Sequence, residues 1–149
     1  MHVHRQLEIQ GTRAQLWRCL TDPEVLKRWV SSLVDDTPED PERTSGVGVV
    51  STMRLREGNK VVAYRSVVTE WEHERRLAIR ISGGMFAEGM EMDVAYEISS
   101  RAGGGMLLDY DVRVPLKGFF LLMSPLIWLM SKKNANTDLT KLQTLVPTV

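Results

Sequence analysis

"GTRAQLWRCLTDPEVLKRWV", Gly11 to Val30, is the stretch on which the fold turns, because it holds two helix starts in quick succession. Thr12 can cap the first helix while Gln15 reaches back to it, as in a capping box. Leu16, Trp17 and Leu20 supply that helix with a short apolar stripe. The second start can be spelled two ways. Asp22 can be the N-cap with Pro23 at the first helical position, where a missing N–H does no harm; alternatively Thr21 caps toward Glu24. The first is the better use of the residues, and either way Val25, Leu26, Trp29 and Val30 face inward.

Before this stretch, Val3, Leu7 and Ile9 alternate with His4, Gln6 and Glu8, the period of a half-buried strand. Arg5 falls on its apolar side, which predicts a frayed or edge position. A strand followed by two short helices back to back is an uncommon opening.

After it comes "DDTPEDPERTSG", Asp35 to Gly46, rich in proline and acid. Its carboxylates lack the spacing of a calcium loop, so it reads as a solvated surface loop. From Gly46 the period becomes two. Val47, Val49, Met53 and Leu55 oppose Thr52, Arg54 and Arg56, and Gly58-Asn59 suits a tight hairpin. "VVAYRSVVTEWE", Val61 to Glu72, is a long strand whose register stays open, since either Tyr64 or Arg65 must point inward. Leu77, Ile79 and Ile81 alternate next. Then "MEMDVAYEIS" and "MLLDYDVRV", joined by a glycine-rich turn, make the clearest half-buried pair. Residues from about Gly118 to Val146 read as one long helix, with Pro125 near its start.

The order is therefore a strand, two short helices, about five consecutive antiparallel strands and a long helix. A curved sheet must cover its apolar face, and only the last helix is long enough to do so. The expected fold is α+β, a curved antiparallel sheet wrapped around a long C-terminal helix, in a single domain spanning 1–149.

Composition narrows the function classes. Apolar residues make up 43% and charged ones 26%, ordinary globular usage. Nineteen basic residues balance nineteen acidic ones, which argues against a nucleic-acid binder. A lone cysteine excludes an internal disulfide and a Cys-based zinc cluster, and fits a cytoplasmic location. The N-terminal "MHVHRQLEIQ" alternates like a strand and has no apolar signal-peptide core.

Several words of the sequence carry a resemblance: "LWRCLTDPEVLKRWV", the "GVG" entering the second strand, "VVTEWEHERRLAIR", "VAYEIS" before a glycine turn, and "TDLTKLQTL" in the final helix. In this order the chain resembles the START-like (SRPBCC, helix-grip) superfamily, specifically its bacterial polyketide cyclase/dehydrase and lipid-transport branch. The resemblance covers nearly the whole chain and implies a deep apolar cavity between sheet and long helix. It also implies an aromatic residue near the cavity mouth, a place Trp29 fills at the end of the second helix. One scaffold serves carriage, hormone binding and cyclisation in this superfamily, so the resemblance implies a fold more than a reaction.

The candidate lining of such a cavity is Trp29, Met53, Tyr64, Met92, Tyr96 and Tyr110, with Phe120, Met123 and Trp128 from the last helix. Methionine adapts to irregular apolar contents, and a buried tyrosine hydroxyl needs a partner that a ligand can supply. No catalytic constellation, metal site or cofactor motif is expected. His2 and His4 share a strand face without a third ligand at metal spacing, His73 falls in an exposed turn, and Cys19 reads as a small buried hydrophobe. Arg65 and Glu70 are expected to face outward.

"LKGFFLLMSPLIWLMSKK", Leu116 to Lys133, is the most apolar part of the chain. Its core from Gly118 to Met130 is about 13 residues, roughly 20 Å of helix against the roughly 30 Å of a bilayer interior. It reads as a wall of the pocket, not a transmembrane span. Its all-round apolarity leaves Phe119, Leu122, Leu126 and Leu129 open to a homodimer or membrane-surface contact. Further along, Leu139, Leu142 and Val146 form a one-sided stripe. The leading expectation is binding or carriage of a small hydrophobic molecule. An enzyme of the cyclase or dehydrase type using Tyr64, Arg65, Glu70, Tyr96 or Tyr110 is the first alternative, and a protein or membrane-surface module the second.

Overall fold

Both helix starts use the caps that the sequence offers. The computed structural model describes residues 2–86, 88–114 and 132–149. After strand β1 (His2–Ile9), helix α1 (Arg13–Thr21) begins with a complete capping box: the Gln15 amide donates to Thr12 Oγ1 at 3.1 Å, and the Thr12 amide donates to Gln15 Oε1 at 2.8 Å. Asp22 ends α1 and starts α2 (Pro23–Trp29), accepting from the Glu24 amide at 3.0 Å. Thr21 does not cap; its hydroxyl donates back to the Trp17 carbonyl at 2.7 Å.

Six strands then follow: β2 (Leu33–Pro38), β3 (Val50–Glu57), β4 (Lys60–Glu72), β5 (Arg76–Gly83), β6 (Glu91–Ser100) and β7 (Met106–Arg113). With β1 they form one antiparallel sheet in the order β1-β7-β6-β5-β4-β3-β2. Helix α3 (Lys132–Leu145) and a short 3-10 turn (Val146–Thr148) complete the described chain. The curved sheet wraps around the C-terminal helix, and α1 and α2 follow the first strand, as expected. Gly118 to Met130, where the start of that helix was expected, lies outside the described residues.

The strand after α2 is a correction. Asp35 to Pro38 was read as loop, but these residues pair with Arg54 to Ser51 of β3 as an edge strand. An edge strand needs only one partner, so it forms without the apolar alternation that identifies a buried one. Its proline stands at the strand end, where a missing donor is tolerated.

In β4, Tyr64 and Ser66 are buried and Arg65 is exposed, which settles the register. A bulge between Val68 and Glu70 then adds one residue and shifts the phase. Trp71 thereby turns toward the core, while Glu70 accepts from Arg76 Nε on the outer face at 2.8 Å.

The core lies between the concave face and the helices. Ile9, Leu16, Cys19, Leu108, Leu142 and Val146 are fully buried there. Each large aliphatic chain so enclosed contributes about 1.5–3 kcal/mol. The stripe of Leu139, Leu142 and Val146 is what seats α3 on the sheet. Arg5 is at an edge strand, as read, and its guanidinium is satisfied by Asn136 Oδ1 of α3 at 3.2 Å and the His4 carbonyl at 2.9 Å.

Candidate functional site

The curvature of the sheet leaves space that α1, α2 and α3 do not fill. This cavity measures about 770 Å³ and is lined mainly by apolar side chains. Its floor comes from inward positions of β3 to β7, among them Met53, Ile79, Met92 and Val94. Leu20, Leu26 and Trp29 of the two short helices, with Leu139 of α3, form the opposite wall. These helices stay in place because the Trp29 indole N–H donates to the Cys19 carbonyl at 2.8 Å, tying α2 to α1 inside the core. The edge of the Trp29 ring meets Tyr96, centroids 6.4 Å apart at 84°.

Two tyrosines supply polarity. Tyr96 and Tyr110 sit directly opposite each other in the β6–β7 register, ring centroids 5.4 Å apart. Neither hydroxyl has a hydrogen-bond partner among the described residues. Burial, reinforced by the Asp138 carboxylate, pushes both phenols above their ordinary range, so they serve as donors and not as bases. Asp138 itself accepts from the Ser31 hydroxyl at 2.5 Å and from the Ser31 amide at 3.3 Å, joining α3 to the turn after α2.

Asp36 brings the second polar element. It lies on the cavity wall opposite Met53 in the β2–β3 register, and Ser51 and Ser66 line the same wall. Its Oδ1 is enclosed without a hydrogen-bond partner among the described residues. Burial, then the neighbouring Asp35 charge, raises its carboxyl from 3.8 to about 6. Asp35 points the other way, to the Arg54 guanidinium on the outer face, and that hydrogen bond holds it below its usual range.

Of the candidate lining residues, the structure brings Trp29, Met53, Met92, Tyr96 and Tyr110 to this one cavity. Tyr64 points inward but is not on its wall. The Tyr64 hydroxyl donates to buried Glu57 at 2.5 Å, and its ring packs against Phe86 with centroids 5.6 Å apart. The cause is the turn after β5. Gly84, at φ +55, passes so close to the Tyr64 ring that a Cβ there would sit 2.3 Å from it. Phe120, Met123 and Trp128 lie outside the described residues.

Sequence reading missed Asp36, the tryptophan rim and His73 as lining groups. Trp17 meets Trp71 edge to face at 5.1 Å, and the exposed His73 ring lies 5.8 Å from Trp17. The rim needs the β4 bulge, and Asp36 needs a second bulge between Leu33 and Asp35 in β2. Counting by twos inward from Leu33 would put Asp35 inside; the bulge puts Asp36 there instead. Cys19 is buried, and burial raises its thiol to about 11, which leaves it unreactive near neutral pH. Among the described residues no His, Cys, Asp and Glu side chains gather into a metal-binding group. His2 and His4 instead face Asp111 and Asp109 across the β1–β7 pair.

The family described as polyketide cyclase / dehydrase and lipid transport matches residues 1–146. The chain belongs to this family. Among solved structures, Ara h 8.0201 superposes with a TM-score of 0.76 at 14% identity, over 100% of this chain and 99% of its own. TTHA0849 from Thermus thermophilus does so at 0.72 and 18% identity, over 99% and 98%. NE0264 from Nitrosomonas europaea gives 0.72 and 16%, over 99% and 95%. At these identities the likeness is one of fold. No curated relative matches the chain in sequence. Within this polyketide cyclase/dehydrase and lipid-transport family, fold and cavity together suit a small hydrophobic ligand. No helix of the described residues is long and apolar enough to cross a membrane. The apolar stretch weighed above as an anchor, a dimer contact or a membrane-surface contact lies outside them.

Proposed function

We propose that the protein binds a small hydrophobic molecule, of lipid, isoprenoid or polyketide-like character, in the cavity between sheet and C-terminal helix, and carries it unaltered. The observation that carries this reading is a space of about 770 Å³ with an apolar lining and two tyrosine hydroxyls that lack protein partners among the described residues. Small-molecule sites are of this kind, mostly apolar with a few convergent polar groups. Carriage is favoured over catalysis because the unpaired acid of the described wall, Asp36 on β2, is separated along the sheet by β3, β4 and β5 from the phenols of Tyr96 and Tyr110 on β6 and β7. General acid–base chemistry needs a donor and an acceptor poised on one substrate, and the two phenols are too weakly acidic to act as bases.

Trp17, Trp29 and Trp71 all line the cavity, so intrinsic fluorescence reports its filling. A neutral lipophilic probe is expected to change that fluorescence saturably. Replacing Ile79 by Trp, which takes up part of the floor, should weaken the response with far-UV circular dichroism unchanged. Full binding by the filled variant would place the ligand elsewhere and end this proposal. Turnover of a polyketide-like substrate would move the assignment to the cyclase/dehydrase class.

A further inference from the structure

Among the described lining residues, Asp36 is the one carboxyl that the protein leaves uncompensated. Asp22 is held by the Glu24 amide and lies 3.6 Å from Arg18, and Asp138 is held by Ser31. Asp36 finds no hydrogen-bond donor among the described residues, and its Oδ1 is enclosed. No lysine or arginine stands among the described residues of the cavity wall. The cation nearest in sequence pairing, Arg54, is turned to the outer face and engaged by Asp35. Opposite Asp36 in the β2–β3 register stands Met53, and the hydroxyls that share the cavity wall, Ser51, Ser66, Thr44 and Ser45, can donate a hydrogen bond but cannot neutralise a charge.

An apolar cavity with one unpaired acid on its wall discriminates by headgroup. We infer that the site selects an apolar molecule ending in a basic amine, with the ammonium seated against Asp36, over the same molecule ending in a carboxylate. This rests on the hydrophobic-carrier reading above and adds a headgroup to it. An ammonium there neutralises the acid and supplies the missing donor, and in a poorly hydrated wall such a pair is stronger than at the surface. A ligand carboxylate seated at Asp36 meets like charge, and the described wall holds no lysine or arginine to offset it, which is rejection by repulsion. An alcohol can donate but brings no charge, so it ranks between the two.

The test compares decylamine, decanol and decanoate, three probes with one chain and three headgroups, the charged two below their micelle concentrations and the alcohol below its solubility, at about pH 7.5. Binding to the full chain is measured by displacement of a neutral fluorescent probe, for wild type and D36N. The expected wild-type order is amine, alcohol, carboxylate, with the amine about tenfold or more tighter than the alcohol. In D36N the amine should fall to near the alcohol while the carboxylate gains. Decanoate binding wild type as tightly as decylamine, or an amine preference unchanged in D36N, overturns the inference. Decanol binding without any amine preference overturns it too, but leaves the carrier reading standing. Failure of all three probes removes both. The wild-type order alone decides the matter if D36N does not fold.

Discussion

Replacing Asp36 by Asn tests the structure without any ligand. The β2 bulge turns this carboxyl inward, where it finds no donor, and the Asp35 charge stands beside it. The amide has nearly the same shape but does not ionise. The folded protein holds the Asp36 proton more tightly than the unfolded chain, about 6 against 3.8. The stability this gives is fully present below pH 3.8 and is lost as pH rises through about 6. At about 1.4 kcal/mol for each tenfold in proton affinity, the loss is about 3 kcal/mol, or about 2 after allowing for solvent at the part-exposed group. Other titrating groups are common to both proteins and cancel in the difference. Urea unfolding followed by tryptophan fluorescence, at about pH 4 and about pH 8, should show D36N gaining about 2–3 kcal/mol on wild type across that interval. With a slope of about 1–3 kcal/mol/M, the midpoint difference widens by roughly 0.7–3 M. A difference that stays constant with pH would mean that the carboxyl is solvated or paired, and the bulge argument would fail.

Four further outcomes follow from named contacts. Gly84→Ala should lose about 2–4 kcal/mol in thermal or urea unfolding, since it strains a positive φ and drives a methyl into the Tyr64 ring; a loss under about 1 kcal/mol would contradict that packing. Thr12→Ala removes the α1 cap and should cost about 1 kcal/mol by the same assay. Trp29→Phe leaves the buried Cys19 carbonyl without its donor and should cost about 1–3 kcal/mol. Tyr96→Phe, whose hydroxyl serves no described protein group, should leave stability within about 0.5 kcal/mol. That variant should weaken binding of a hydroxyl-bearing probe while sparing a hydrocarbon one, which titration by tryptophan fluorescence resolves.

The fold was largely legible in the sequence. Capping chemistry at Thr12 and Asp22 acts over three residues, and the alternation in Met92–Ile98 and Met106–Val112 reports a sheet with one buried face; both signals are local. The stripe of Leu139, Leu142 and Val146 likewise identified the face that α3 buries. What escaped was the edge strand β2, because "DDTP" has the composition of a loop and becomes a strand only through pairing with β3. Part of the candidate site was legible for the same reason as the fold. Trp29, Met53, Met92, Tyr96 and Tyr110 lie in elements whose inward faces the apolar pattern marks, and those faces converge on one space.

Sequence by itself determined the order of elements and the apolar character of the concave face, because those follow from side-chain chemistry read over a few residues. Only the tertiary structure decided which carboxylates that space contains. A bulge changes the phase of a strand without changing its composition, so Asp36 enters the cavity, and Glu70 leaves it, for reasons no window of residues expresses. Tyr64 shares the inward face of its strand but is withdrawn from the cavity by Gly84, Phe86 and Glu57, contacts set by how chain segments meet in space.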